Sequence, residues 1–219
     1  MRAEPFVHRS DIGRKAVEWL GLLRDRTRPR PDLSVEISRC ALLVIDMLRY
    51  FAHSGGRAYI PSSEAVLPGL GRLLQLWRGS GGTVVFTRHC HSGPEDLGML
   101  GRFFVDHIRC GERDSEIIRE LEPLPTERVY LKNTYDAFHG TGLEEYLLET
   151  GLEQVLITGV LTQMCCETTA RSAFVKDFEV FVPVDALTTT TEELHLCSLM
   201  SMASCCAVMT STEELLNGS

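Results

Sequence analysis

A chain of 219 residues, 44% apolar and 24% charged, is long enough to bury one substantial core and has ordinary globular composition. Its formal net charge of −8 is spread along the sequence, which excludes the basic footprint of a nucleic-acid binder and leaves a small neutral or cationic substrate unrepelled. No segment reaches the roughly 18 uninterrupted apolar residues of a membrane span, and MRAEPFVHRSDIGRKAVEW at the N-terminus lacks a signal-peptide core, so the sequence predicts a soluble cytoplasmic protein with no membrane partner. Of the eight cysteines, Cys40, Cys197, Cys205 and Cys206 sit inside apolar runs and no pair has CxxC spacing. This reads as buried free thiols in a reducing compartment, with no structural disulfide.

Residues 11–27 have the pattern of a capped amphipathic helix with Val17, Leu20, Leu22 and Leu23 on or near one face. A Pro-containing linker at 28–32 ends it, giving an expected N-terminal helical extension over 1–35 and a main domain over 36–219. The continuous apolar run Ala41–Ile45 reads as a central strand of a parallel sheet, closed by Asp46. Residues 53–68 read as loop, 69–78 as helix, and Thr83–Thr87 as a second strand continuing into RHCHSGPED. His89, Cys90 and His91 are sequence neighbours that cannot all face one ion, so this stretch is read as a cleft-lining loop, with no metal and no cofactor expected. A helix at 114–121, a strand at Arg128–Leu131 ending in Lys132, and a helix over GLEEYLLET follow. Val155–Thr158, bounded by Gly159, reads as a buried strand. Glu167–Lys176 reads as a helix with apolar Ala170, Ala173 and Phe174. EVFVPVDAL, a helix from Thr191 to about Ser204, the strand CAVMT and an acidic tail complete the chain. Strand and helix alternate throughout, which predicts an α/β fold, an open three-layer arrangement with a mostly parallel sheet and helices on both faces.

In such a sheet the ligand crevice lies outside the carboxyl ends of the strands. Asp46, Lys132 and Cys165 all fall there. Each has a plain alternative: Asp46 as a helix cap, Lys132 as a solvated strand-end charge, Cys165 and Cys166 as small buried hydrophobes. Together they form a functional set, because a carboxylate can take a thiol proton, the thiolate can attack a carbonyl carbon, and the cation steadies both anions. A thiol at a helix N-terminus is expected to have a lowered pKa. Backbone N–H groups at the Gly159-Val160-Leu161 turn and at Cys165 are placed to receive an oxyanion.

ALLVIDMLRYF, VVFTRHCH, LKNTYDAFHGTGLEEYL and ITGVLTQMCCETTARSAF, in that order, resemble the isochorismatase-like superfamily of hydrolases. The resemblance implies an Asp–Lys–Cys triad at Asp46, Lys132 and Cys165 on a six-stranded parallel sheet, and a cis peptide at Val160–Leu161 that aims the Leu161 N–H into an oxyanion hole. Cys165 is preferred to Cys166 because the family places its nucleophile six residues after the glycine, here Gly159. DMLRYF, CETTARSAF and the tail VMTSTEELL are similar to isochorismatases, which cleave a vinyl ether and carry glycine at the position of Cys165. The nicotinamidase branch is the poorer match, since its Asp-x-His zinc ligands have no counterpart after Phe51. What remains is the metal-independent cysteine amidases, acting on a small-molecule amide or carbamoyl C–N bond through a thioester, with the family's habit of forming dimers or tetramers. Phe51, Arg88, Tyr135 and Phe138 are assigned to the substrate pocket on position alone. Isochorismatase-type ether hydrolysis and a non-catalytic interaction module stand as the competing readings.

Overall fold

In the computed structural model, which describes residues 3–218, the apolar run becomes β1 (Cys40–Ile45), every residue of it buried. Alternate side chains leave opposite faces of a strand, and here they feed two cores. Ala41, Leu43 and Ile45 face one, Leu42 and Val44 the other. β2 (Thr83–His89), β3 (Arg128–Lys132), β4 (Gln154–Val160), β5 (Glu179–Pro183), β6 (Leu187–Thr188) and β7 (Val208–Thr210) complete a seven-stranded sheet. Six strands run in the order β3-β2-β1-β4-β5-β7, and β6 pairs with the end of β4. All the paired strands are parallel, so the fold is the α/β class expected, with one short strand more than the six anticipated.

One core is covered by α1 (Ile12–Arg24), α5 (Leu143–Glu149), α6 (Glu167–Val175) and α7 (Glu192–Cys205). The other lies mainly under α3 (Ser63–Gly79), whose Leu70, Leu73 and Trp77 are fully buried. The remaining helices are short: α2 (Arg49–Ala52), α4 (Leu100–Phe103) and α8 (Thr212–Asn217). Among the described residues no helix is long and apolar enough to cross a membrane.

Several local expectations change. In α1 the buried face is Ala16, Trp19, Leu20 and Leu23, and Val17 is 72% exposed. In α6, Ala170 and Ala173 are buried whereas Phe174 is half-exposed. The helix expected at 69–78 begins at Ser63 and contains Pro68. Proline lacks the N–H that would bond the carbonyl of residue 64, and the Arg9 guanidinium supplies that donor instead, Nε to Glu64 O at 3.0 Å. Residues 114–121 form two single 3-10 turns, Arg113–Ser115 and Arg119–Leu121, rather than one helix. The acidic tail is the helix α8, capped by the Ser211 hydroxyl.

The cysteine reading is also corrected. Cys90 and Cys110 form a disulfide across 20 residues. Neither lies in an apolar run; they stand at the two feet of a loop closed by pairing of His91 with Arg109, a tertiary juxtaposition that spacing does not encode. The N-terminal segment packs on its own chain. Lys15 Nζ and Trp19 Nε1 both donate to Glu192 Oε1, at 2.7 and 2.9 Å, at the start of α7.

Gly159 sets the distance between the two strands that carry the site. It pairs with Ile45 at φ +107°, and a Cβ there would lie 2.0 Å from the Ile45 carbonyl oxygen. Gly159→Ala therefore combines a backbone clash with a disfavoured φ. It is expected to destabilise the protein by at least about 3 kcal/mol, seen as a lower urea midpoint at unchanged slope.

Candidate active site

Asp46 follows β1 with φ +47°, an unusual conformation for a residue with a side chain, and is wholly buried. The bend is held from β2. Asp46 N–H donates to Thr87 Oγ1 at 3.1 Å, and the Thr87 hydroxyl donates back to Asp46 Oδ1 at 2.7 Å. Lys132, the last residue of β3, donates from Nζ to Asp46 Oδ2 at 2.6 Å, to Thr134 O at 3.0 Å and to Cys165 Sγ at 3.4 Å. Cys165 lies on a π-helical turn, Thr162–Cys166, between β4 and α6. The Val160–Leu161 peptide before it is cis. The three groups read from the strand ends thus meet around one ammonium.

Their electrostatics follow from burial and pairing. Burial pushes the Asp46 carboxyl up, but Lys132, His89 and the hydrogen bonds from Lys132 and Thr87 outweigh it and hold the group below the usual carboxylate value. For Lys132, burial opposes charge, yet Asp46 and Cys165 raise it to about 12. Burial pushes the Cys165 thiol up to about 12, with Lys132 pulling down and Asp46 pushing up. The resting site is therefore carboxylate, ammonium and neutral thiol. This corrects the expectation of a low thiol pKa: at 5% exposure desolvation of the thiolate exceeds what a helix N-terminus returns. The thiol needs a base at the moment of attack, and Asp46 is beside it.

A cavity of about 200 Å³ opens over Cys165, lined by Tyr50, Phe51, His89, His91, Leu100, Phe104, Asp106, His107, Ile108, Tyr135, Leu161 and Met164, with Ala58 at one edge. Phe51 and Tyr135 lie where the sequence reading put them, and Leu161 is in the wall as well. Arg88 and Phe138 do not line it. Arg88 points to the other face of β2 from His89 and holds Ser115, with Nε donating to Ser115 O at 2.8 Å. Phe138 is in the core against Phe178, ring centroids 5.9 Å apart. Residues 53–68, read as loop, give only Ala58 to the wall. The RHCH stretch gives His89 and His91 to the wall, with His89 Nδ1 donating to Thr134 O at 3.2 Å and the two Nε2 atoms of His89 and His91 3.2 Å apart. Tyr50, Leu100, Phe104, His107, Ile108 and Met164 were not singled out. Leu100, Phe104, His107 and Ile108 are brought to the wall by the loop that the Cys90–Cys110 disulfide closes. Among the described residues no group of three or more His, Cys, Asp or Glu side chains is placed to hold a metal ion. A larger hollow of about 590 Å³, lined by Trp77, Phe181 and Val208 among others, contains none of the three reactive groups.

A parallel α/β sheet thus gathers a cysteine, a carboxylate and a lysine at its carboxyl edge. The family model described as Isochorismatase domain matches residues 40–214. The chain is 42% identical over 166 residues to Nicotinamidase 3 of Arabidopsis thaliana, covering 74% of this chain and 80% of that protein. It is 31% identical over 193 residues to Enterobactin synthase component B of Escherichia coli K12, covering 88% and 67%. The solved structure of N-carbamoylsarcosine amidase from Thermoplasma acidophilum superposes with a TM-score of 0.71 at 26% identity, over 80% of this chain and 98% of that one. The chain belongs to the isochorismatase family and is a hydrolase of that family. The similarity to a nicotinamidase is greater than the ligand-motif argument anticipated.

Two buried histidines make the structure acid-sensitive. Burial, then Lys132, holds His89 down at about 4, and burial alone does the same to His195. An unfolded histidine binds its proton near 6.5, so between these values the unfolded state holds more protons and stability falls as pH falls. The stability is fully present above about pH 6.5 and is lost toward about pH 4, at about 1.4 kcal/mol per unit for each residue. Asp46 remains ionised across that window. The acid limb of kcat/KM is therefore expected to coincide with loss of far-UV CD signal, not with a separate carboxylate titration in folded protein.

Proposed function

We propose that this protein is a cysteine amidase that hydrolyses a small, neutral, flat-bodied primary amide through a thioester on Cys165. The observation that carries the reading is Lys132 Nζ, 2.6 Å from the Asp46 carboxylate and 3.4 Å from Cys165 Sγ, directly under the cavity. Asp46 takes the thiol proton as sulfur attacks the amide carbon. Lys132 keeps its charge throughout and stabilises first the carboxylate and then the thiolate. The oxyanion is received by the N–H groups of Leu161 and Cys165, in a site whose low dielectric strengthens those bonds. The tetrahedral adduct collapses with C–N cleavage, and Asp46 returns the proton to the departing amine. A water deprotonated by the same carboxylate then attacks the thioester carbonyl, releasing the carboxylic acid and restoring the thiol.

The substrate class follows from what the cavity wall lacks. None of its described residues is Arg or Lys, and Lys132 beneath is committed to Asp46. A carboxylate placed there would lose its hydration without gaining a counter-ion, at a cost of several kcal/mol. Ureido acids and isochorismate carry carboxylates, whereas a neutral aromatic amide offers a flat apolar body to Phe51, Phe104 and Tyr135. The name of the Arabidopsis relative supports an amide of this kind.

Ammonia release from nicotinamide, benzamide, small aliphatic amides and ureido acids, followed for the wild type and Cys165→Ala, tests the reading. Release is expected to be greatest with the aromatic amides and to fall at least about 10³-fold in the variant, with an acyl adduct on Cys165 detected by mass spectrometry after rapid quench. Consumption of isochorismate that persists in Cys165→Ala would instead establish the ether hydrolase.

A further inference from the structure

The π-helical turn that carries Cys165 is gripped from α7, and the grip centres on a histidine outside the pocket. His195 is fully buried. Its Nε2 lies 3.1 Å from Val184 O and its Nδ1 2.9 Å from Thr162 Oγ1. A carbonyl can only accept, so Nε2 carries the proton. In the neutral imidazole Nδ1 is then bare and accepts the Thr162 hydroxyl proton. One helical turn on, the Ser198 hydroxyl lies within hydrogen-bond reach of Thr162 O at 3.1 Å and of Glu167 Oε2 at 2.7 Å. Residues three apart on a helix share a face, so α7 holds Thr162 by both side chain and backbone. Thr162 directly follows Leu161 and opens the turn that ends at Cys166.

We propose that His195 is a positioning residue for the reaction assigned above, holding Thr162 through Nδ1 so that the turn aims both the Cys165 sulfur and the Leu161 N–H. The N-terminal segment completes this device. Trp19 and Phe6 cover the imidazole, ring centroids 4.8 and 5.7 Å away, and Glu4 N–H donates to Thr190 O at 2.8 Å beside α7. With His195 and Thr162 both at 0% exposure, no water competes for the bond. Displacing a reacting group by about 1 Å costs on the order of 10²-fold in rate, which is the scale on which this contact acts.

The test separates the two hydrogen bonds of His195. His195→Asn puts a carbonyl oxygen near the place of Nδ1 and keeps an acceptor for Thr162. His195→Gln puts its amide nitrogen near the place of Nε2 and keeps only the donor to Val184. Thr162→Val removes the hydroxyl at constant shape, and Thr162→Ser retains it. Steady-state kinetics on the best amide substrate, the rate of Cys165 alkylation by iodoacetamide and the melting temperature are measured for each. His195→Gln and Thr162→Val are expected to lose 10- to 100-fold in kcat with KM within about twofold and to alter the alkylation rate; His195→Asn and Thr162→Ser are expected to stay within about threefold of wild type. If activity per folded molecule is the same in all four variants, or if His195→Gln is active and His195→Asn is not, the proposal is overturned. It rests on the amidase reading, and the two fail differently. A wild type that releases no ammonia sinks that reading, while the alkylation rates and the His195 tautomer by 15N NMR still decide the clamp, since a bare Nε2 or a Thr162→Val turn with unchanged thiol reactivity refutes it.

Discussion

The site depends on one ion pair with no access to water. Asp46 and Lys132 are 2.6 Å apart with both side chains at 0% exposure. Taking two charges out of water costs several kcal/mol per ion, and apolar replacements of similar volume commonly serve stability as well or better. The pair is supported because each carboxylate oxygen has a donor and all three ammonium protons have acceptors: Thr87 and Lys132 on the carboxylate, Asp46, Thr134 O and the Cys165 sulfur on the ammonium. Its value lies in chemistry. In the proposed reaction the ionised carboxylate takes the proton of the neutral thiol, and the ammonium next to both makes that transfer a local redistribution of charge.

The sheet order explains why the cation is lysine and why it comes from β3. Neighbouring strands lie about 4.8 Å apart, so β3, two places from β1, is roughly 10 Å from the strand that carries Asp46. The register sets Lys132 opposite His89 at the end of β2, and the four-carbon stem crosses above β2 to reach the carboxylate. β2 is therefore more than a spacer: its Thr87 fixes the bend of Asp46 and its His89 walls the cavity. On the other flank β4 is drawn against β1 at Gly159, where no side chain fits, and this close approach brings the cysteine turn within reach of Lys132. Three strands with different spacings thus converge on one point.

This geometry explains what was legible in the sequence. Asp46 follows and Lys132 ends a parallel strand, the first buried throughout and the second an edge strand in which only Lys132 is buried, and parallel strands put their carboxyl ends on one edge, so order along the chain translated into proximity in space. The same reasoning fails where side-chain direction or tertiary contact decides. Arg88 and His89 are adjacent, but the two-residue period of a strand sends them to opposite faces, and only one meets the cavity. Phe138 sits one turn of loop beyond Tyr135 and is captured by Phe178 in the core. Cys90 and Cys110 are brought together by a loop whose closure no local pattern announces. For the Cys165 thiol the helix terminus is visible in sequence whereas the degree of burial, which has the larger effect on its pKa, is not.

Chemistry and selectivity are thereby placed on different kinds of structure. The reacting groups stand on strand ends and on a turn braced by α7, where packing leaves little freedom. Six residues of the cavity wall, His91, Leu100, Phe104, Asp106, His107 and Ile108, come from 91–109, a segment fastened at its feet by Cys90–Cys110 and by the His91 N–H bond to Ile108 O at 2.8 Å. A wall of this kind can change its lining without disturbing the ion pair. In this chain the wall contains Tyr50, Phe104, His107 and Ile108 and, among the described lining residues, no Arg or Lys. An uncompensated carboxylate in a cavity of about 200 Å³ is disfavoured by several kcal/mol, which exceeds the 1–3 kcal/mol that one extra methylene in an apolar pocket commands. For the proposed amidase, exclusion of a carboxylate is therefore the stronger basis for selection, ahead of close fit to one ring.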